Sequence, residues 1–236
     1  MAKIALGGGV AAISGKSGGT VFARNKGGAY MRNFVKPTNP STTYQEEARD
    51  RLTQYSNEWR TLTDAQRDSW NAWAAEHPVL DRLGAAKTLT GAQAYTKINT
   101  NRDLAGDTTD NAVVPSDPEW TNGIVNTDEA LTVTVTGPTV IIPLGAGAAA
   151  DQIVFVYATP AVSAGITNAT NQERFIGAVT VTAGMVEDAE IDVAALWTDR
   201  FGTMAGALGR KVSVRAYQYL QGQTGAAYQV SGIVAA

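Results

Sequence analysis

The 236-residue chain contains no cysteine and a single histidine, His77. Without cysteine it can form no disulfide, no thiolate metal site and no cysteine nucleophile. The absence of cysteine also means that the sequence does not indicate whether the protein resides in an oxidising or a reducing compartment. One histidine cannot build a cluster of metal ligands, and the sequence offers no second partner for a catalytic triad. We therefore expect no enzyme activity, no bound metal and no cofactor.

Long apolar runs are also missing. Residues 1–6 (MAKIAL) lack the apolar core of a secretory signal, and no run approaches the roughly 20 apolar residues of a membrane-spanning helix. We expect a soluble chain without a conventional export signal and without a membrane partner.

Acidic residues are missing from the first 45 positions. Glu46 is the first, and six cations precede it: Lys3, Lys16, Arg24, Lys26, Arg32 and Lys36. Residues 1–105 hold 14 Lys and Arg against 9 Asp and Glu, a net charge of +5, whereas residues 106–236 hold 5 against 13, a net charge of −8. This asymmetry predicts different surroundings for the two ends, with the basic end facing nucleic acid or an acidic protein surface.

The glycine-rich residues 7–20 (GGGVAAISGKSGGT) suggest a phosphate-binding loop at first sight. Such a loop needs glycine, four residues, then Gly-Lys-Ser/Thr at the start of a helix. Gly15-Lys16-Ser17 supplies the second half, but Val10 occupies the position of the first glycine, and the following residues 18–22 favour a strand. We interpret the stretch as a ribbon that lies on a neighbour and extends its sheet, with Lys16 as a surface cation.

Residues 1–36, the N-terminal arm, form a glycine-rich basic β segment. Residues 21–24 and 29–32 flank a glycine-containing turn, which predicts a hairpin. The arm has few large apolar side chains, and ordering its glycines is entropically costly, so we expect a neighbouring subunit to order it. The side chains expected to make assembly contacts are cationic or aromatic: Lys16, Phe22, Arg24, Tyr30, Arg32 and Phe34. A hairpin sends side chains to both faces, so we expect protein partners rather than nucleic acid, which would need the cations on one face.

Residues 37–105 predict a module of three short helices. Thr-x-x-Gln capping boxes at Thr42, Thr63 and Thr90 mark the helix starts. Helical spacing assigns an inward face to the following residues: Tyr44, Ala48, Leu52, Tyr55, Trp59, Leu62, Trp70, Trp73, Ala74, Ala94, Tyr95 and Ile98. The aromatic residues could stack on bases or sugars, but their spacing favours a small core. His77 lies at a helix end, where a cation is favourable, and we expect it to be a cap.

Residues 106–123 have the Gly, Asp, Asn, Thr, Ser and Pro content of a linker. Residues 124–236 then contain seven short strand candidates separated by turn signals: 131–136, 140–142, 153–158, 175–181, 190–193, 212–219 and 227–234. Residues 194–201 predict a helical turn. The expected fold is therefore α+β and multi-domain, ending in an antiparallel β-sandwich of fibronectin or immunoglobulin type.

Two acidic patterns are candidates for chemistry. Asp188, Glu190 and Asp192 alternate, which predicts one carboxylate face on a strand, either a calcium site or a solvated surface. No calcium-loop pattern accompanies them, so we favour the solvated surface. Glu46 and Glu47 point about 100° apart on a helix and cannot act as an acid/base pair.

Several phrases resemble a family of uncharacterised, virion-associated proteins encoded in phages and prophages. They are the Ser-Gly-Lys-x-Gly ribbon within residues 13–18, residues 25–32, the Pro-x-Asn-Pro segment within residues 37–45, and residues 62–73 (LTDAQRDSWNAW). The resemblance covers roughly residues 10–105 and implies a structural role in a virion rather than a reaction. Residues 124–236 are only generically similar to the fibronectin-type modules appended to phage structural proteins.

The resemblance implies a head-decorating or minor capsid protein that is anchored to the major capsid protein through its N-terminal part. We expect it to be a homo-oligomer or to be present in many copies per particle. A tail or head–tail connector component is the alternative. A third reading makes residues 124–236, the β-domain, a carbohydrate- or host-surface-binding module. Exposed aromatic residues clustered at one end would favour that reading, and the candidates are Trp197, Tyr217 and Tyr219.

Overall fold

The computed structural model describes residues 2–3, 7, 12–25, 28–80, 85–120 and 123–236. The chain is α+β and divides into two compact units, Met1–Glu47 and Ala48–Ala236. Among the described residues, no helix is long and apolar enough to cross a bilayer.

The first unit is built on a sheet of four short strands: β1 (Ala2–Lys3), β2 (Gly15–Ser17), β3 (Thr20–Asn25) and β4 (Gly28–Asn33). We call it the N-terminal sheet. Its order is β1-β4-β3-β2, and every neighbouring pair is antiparallel. The predicted hairpin is confirmed as β3 and β4, although residues 26–27 of its turn lie outside the described residues. Gly18, at φ 55°, supplies the left-handed backbone of the tight turn between β2 and β3.

Three helices follow: α1 (Thr43–Thr61), α2 (Asp64–Glu76) and α3 (Gly91–Ala105). Two tiny strands, β5 (Val79–Leu80) and β6 (Ala86–Lys87), pair between α2 and α3. The predicted capping boxes are confirmed at Thr63 with Gln66 and at Thr90 with Gln93, where side chain and backbone bond reciprocally. These caps satisfy amide groups that the helices cannot pair internally, which is why both helices start where the sequence indicated.

The helices enclose a small aromatic core, as the sequence predicted. Its buried members are Tyr55, Trp70, Ala74, Ala94, Tyr95 and Ile98. Trp70 and Tyr95 meet edge to face, with ring centroids 5.3 Å apart. The inward face predicted for α1 is wrong over its first half, because Tyr44 and Leu52 are 44% and 57% exposed and Ala48 is exposed too.

His77 caps α2, as expected. Its backbone N–H and its ring Nδ1 both approach the carbonyl oxygen of Trp73, the latter at 2.8 Å, and its ring stacks on the Trp73 indole at 4.3 Å. Its Nε2 lies 2.8 Å from Asp117 Oδ1. The end of α2 is thereby fixed to the segment that precedes the large sheet.

The remaining strands are β7 (Thr132–Thr134), β8 (Thr139–Pro143), β9 (Ile153–Ala158), β10 (Arg174–Thr180), β11 (Glu190–Asp192), β12 (Lys211–Leu220) and β13 (Gln223–Ala235). All seven predicted strands are confirmed. They join in one hydrogen-bonded sheet of order β10-β9-β12-β13-β7-β8-β11. One pair, β13 with β7, is parallel, whereas the sequence had predicted antiparallel strands throughout.

One face of this sheet carries the main core. Alternate residues of β9 and β12, including Val154, Val156 and Val214, are at most 1% exposed and pack with α5 (Ala194–Phe201), the predicted helical turn. Trp197 of α5 is 2% exposed and donates its indole N–H to the Thr159 carbonyl at 3.0 Å. A helix and loops therefore cover part of this face.

The predicted carboxylate row is wrong at its first member. Residues 183–188 form a short helix, α4 (Ala183–Asp188), capped by the Thr182 side chain and ended by Ala189 in a left-handed conformation. Asp188 is therefore the last helical residue, and only Glu190 and Asp192 belong to a strand. The cap overrides the alternating pattern because it satisfies the helix N-terminus locally.

Within Ala48–Ala236, the segment expected as a linker bonds to both its neighbours. The guanidinium of Arg102, 1% exposed, donates to the carbonyl oxygens of Asp110 and Val113. On the other side, the Tyr219 hydroxyl donates to Asp107 Oδ2 at 2.6 Å. Residues 107–113 thus connect α3 to the β12–β13 hairpin.

Candidate assembly surface

No buried core is found among the side chains that the structure describes in the N-terminal sheet. Every side chain that the structure describes in this sheet is exposed or half-buried, and none belongs to either apolar core of the protein. Fixing a residue's backbone costs about 1–2 kcal/mol, and burial of apolar side chains is the main compensation. A sheet this thin therefore leaves a face available for a partner.

Strand register divides the predicted contact residues between two faces. Val21 of β3 pairs with Lys16 of β2 on one side and Arg32 of β4 on the other, so these three side chains share a face. Tyr30, two residues before Arg32, points to the same side. We call this set, together with Phe34, the basic face.

Phe34 completes the basic face through a cation–π contact. The Lys16 ammonium lies 3.7 Å from the centroid of the Phe34 ring, and the Phe34 amide donates to the Gly19 carbonyl at 2.7 Å. Such a contact is worth about 0.5–1 kcal/mol at an exposed site. Phe34 is nevertheless 49% exposed, so about half of its surface remains accessible.

The opposite face carries the other two predicted residues. Phe22 pairs with Met31, and Arg24 with Ala29, in rows that alternate with those of the basic face. Met31 is 38% exposed, so this face also presents apolar surface. The condition for a nucleic-acid arm, convergence of the cations on one face, is not met by Arg24.

Four cations of the N-terminal arm are not paired with a carboxylate in the part of the chain that the structure describes. Among the described residues, Lys16, Arg24, Arg32 and Lys36 form no ion pair. Unpaired cations beside exposed aromatic and apolar side chains fit an acidic protein surface, where Arg can bond carboxylates bidentately.

Sequence reasoning missed three exposed apolar side chains around the sheet. Ile13, Met31 and Val35 are 38%, 38% and 68% exposed. The sequence could have revealed them, because they are apolar residues in a segment for which no core was predicted. Together with Phe34 they present apolar surface on and beside the sheet.

The local structure is not that of a phosphate-binding loop. Gly15, Lys16 and Ser17 form a strand, and a turn at Gly18 leads into another strand rather than a helix. The backbone N–H groups that would cradle a phosphate at a helix N-terminus are thus not presented beside Lys16.

The described part of the chain also holds no group of three His, Cys, Asp or Glu that could bind a metal ion.

The aromatic residues chosen as candidates for ligand binding are not clustered at an exposed end of the β-domain. Trp197 and Tyr219 are only 2% and 5% exposed and are held by hydrogen bonds. Tyr217 is half-buried on a face of the large sheet.

No protein-family model, curated protein or solved structure matches this chain.

Proposed function

We propose that this protein is a structural component of a bacteriophage virion, a head-decorating or minor capsid protein that assembles through its N-terminal sheet. The observation that carries the proposal is a formed sheet with no buried side chain among its described residues, with open aromatic and apolar groups on both faces. Such a sheet gains most of its stability from burial against another subunit. The virion assignment rests on the resemblance of residues 10–105 to phage-encoded proteins.

Charge supports a protein neighbour as the partner. The arm is basic without one acidic residue, whereas residues 106–236 carry a net charge of −8. A binding site on the major capsid protein would present carboxylates to Lys16 and Arg32 and an apolar groove to Phe34. The acidic region would remain exposed on the particle, where like charges on neighbouring copies keep them apart.

We further propose that residues 124–236 form an immunoglobulin-like sandwich produced by bending of the single seven-stranded sheet. β8 and β9, the strands next to its two edges, contribute Val140, Ile142, Val154 and Val156 to the same core. An experimental structure with two packed layers would support this; an open sheet with one layer would contradict it.

The proposed role is tested by incorporation into particles. Arg32→Glu and Phe34→Ala should each reduce the copies found in purified particles by about tenfold, since interface hot spots contribute about 2 kcal/mol or more. The matched controls are Arg210→Glu and Leu208→Ala, an exposed arginine and an exposed apolar residue within residues 124–236, and these variants should incorporate as the native protein does.

Particle imaging distinguishes the alternatives. Density on the capsid shell supports the decoration role, and density at the tail or the portal vertex supports a tail or connector component.

Equal incorporation of all four variants would contradict assembly through the basic face.

A further inference from the structure

The second face of the large sheet is covered over only part of its area. At one end, Phe155 and Tyr219 are 0% and 5% exposed. There the turn after β12 approaches α3, and Asn101 donates to the Gly222 carbonyl at 2.7 Å. Farther along the same strands, Tyr157, Phe175 and Tyr217 are only half-buried.

These three residues form a continuous aromatic cluster on that face. Tyr157 pairs with Phe175 on β10 and with Arg215 on β12, and Tyr217 lies two residues beyond Arg215. The Tyr157 ring meets the rings of Phe175 and Tyr217 edge to face, with centroids 5.4 Å and 5.5 Å apart. Neither the Tyr157 nor the Tyr217 hydroxyl has a hydrogen-bond partner among the described residues.

Beside the rings lies a paired set of polar groups. Arg215 Nη2 is 3.2 Å from Glu173 Oε1 and also donates to Gln229 Oε1 at 3.2 Å. Gln229 in turn donates to the Ser213 hydroxyl, which holds the arrangement in place.

Glu173 is the unusual member of this set. Its side chain is 8% exposed, and its Oε1 accepts no hydrogen bond among the described residues despite the nearby guanidinium. A buried acceptor left without a donor is destabilising, because its desolvation is not compensated by a hydrogen bond. Burial raises the pKa of Glu173, and Arg215 opposes that rise. An O–H donor brought to this carboxylate would satisfy it.

We propose that Tyr157, Phe175 and Tyr217, with Arg215 and Glu173, form a binding site for a neutral saccharide. The rings offer apolar surface to the C–H face of a pyranose, and the two phenols can donate to or accept from its hydroxyls. A sugar hydroxyl donates to Glu173, and free N–H groups of Arg215 donate to sugar oxygens. The site selects a neutral ligand because Arg215 and Glu173 already balance each other's charge.

The test uses the full chain as a monomer and does not depend on its role in a particle. Maltotriose, cellotriose and chitotriose are titrated one at a time up to about 10 mM and followed by saturation-transfer NMR and calorimetry. We expect at least one to bind with a millimolar dissociation constant or better. Tyr217→Ala should weaken that binding about tenfold, and Tyr217→Phe, which keeps the ring and loses the hydroxyl, about threefold.

Tyr228→Phe is the matched control. Tyr228 pairs with the core-facing Ala216, and its hydroxyl accepts from the Gly123 amide on the other side of the sheet. This variant should bind the sugar as the native protein does. If Tyr217→Ala fails to fold, the comparison of Tyr217→Phe with Tyr228→Phe still tests the proposal. The proposal is wrong if none of the three sugars binds, or if neither Tyr217 variant changes the dissociation constant of the sugar that binds.

Discussion

At the scale of single residues, His77 shows how its neighbours shift the pKa of an imidazole. Both ring nitrogens face acceptors, the Trp73 carbonyl and the Asp117 carboxylate, each at 2.8 Å. A neutral imidazole has only one N–H, so one of these contacts would lack its proton. Burial lowers the pKa of His77, but the hydrogen bonds to Trp73 and Asp117 and the nearby charge of Glu76 outweigh it, and the net direction is upward.

We therefore expect the contribution of His77 to stability to depend on pH. A raised pKa in the folded state makes the contribution fully present below the unfolded value of about 6.5 and lost as the pH rises through the folded value. His77→Gln should destabilise the protein by up to about 1 kcal/mol in mild acid, and by less in mild alkali. Urea unfolding of both proteins across this range is the measurement. A difference that stays constant with pH would contradict a raised pKa of His77.

At the scale of secondary-structure elements, the β12–β13 hairpin is fitted closely against α3. Its turn contains Gly222 at φ 86°, and a Cβ atom added there would lie 2.5 Å from Ile98 Cγ2 and 2.7 Å from the Ile98 carbonyl oxygen. Only glycine permits both this backbone conformation and this close approach. This contact fixes the position of α3 relative to the β12–β13 hairpin.

Gly222→Ala tests this contact, with Gly206→Ala as its control. Gly206 has a similar φ of 78°, but an added Cβ would meet nothing within 4 Å. The control should cost about 1–2 kcal/mol for the backbone conformation alone. Gly222→Ala should cost about 1–3 kcal/mol more, because the side chain overpacks against Ile98. Thermal unfolding compares the stability of the two variants with that of the native protein. An equal loss of stability in both would mean that the hairpin does not pack against α3.

The elements also show what sequence reasoning can and cannot reach. Capping boxes and strand alternation are local signals, and they located α2, α3 and all seven strands of the large sheet. The apolar periodicity of α1 was equally clear, yet Leu52 is exposed. Periodicity reveals which face of a helix is apolar, but not whether a partner covers it. Strand order, and the parallel pairing of β13 with β7, depend on long-range contacts that no local pattern encodes.

At the scale of the whole molecule, the two apolar cores lie entirely in Ala48–Ala236. Neither contains any of the arm residues that the structure describes. The sequence predicted six contact residues in the arm, and the structure forms the sheet that carries them but separates Phe22 and Arg24 from the other four. The sequence could not predict which face of the sheet contacts a partner. Strand alternation assigns side chains to two opposite faces, but it does not indicate which face is covered.

Deleting residues 1–36 should therefore leave a folded protein. Since both cores are retained, we expect the unfolding midpoint in urea to change little, while incorporation into particles is lost. Circular dichroism and urea titration check the first expectation, with the full chain as the reference. A deletion variant without a cooperative transition would show that the arm belongs to the core of the fold.

The central claim is that the N-terminal sheet is stabilised by another subunit, and hydrogen exchange tests it most directly. The amides of residues 15–25 and 28–34 should exchange rapidly in a dilute monomer, because no buried side chain protects them among the described residues. In assembled particles the same amides should be protected, while those of β9 and β12 stay protected in both states. Strong protection of the sheet already in the dilute monomer would contradict the account.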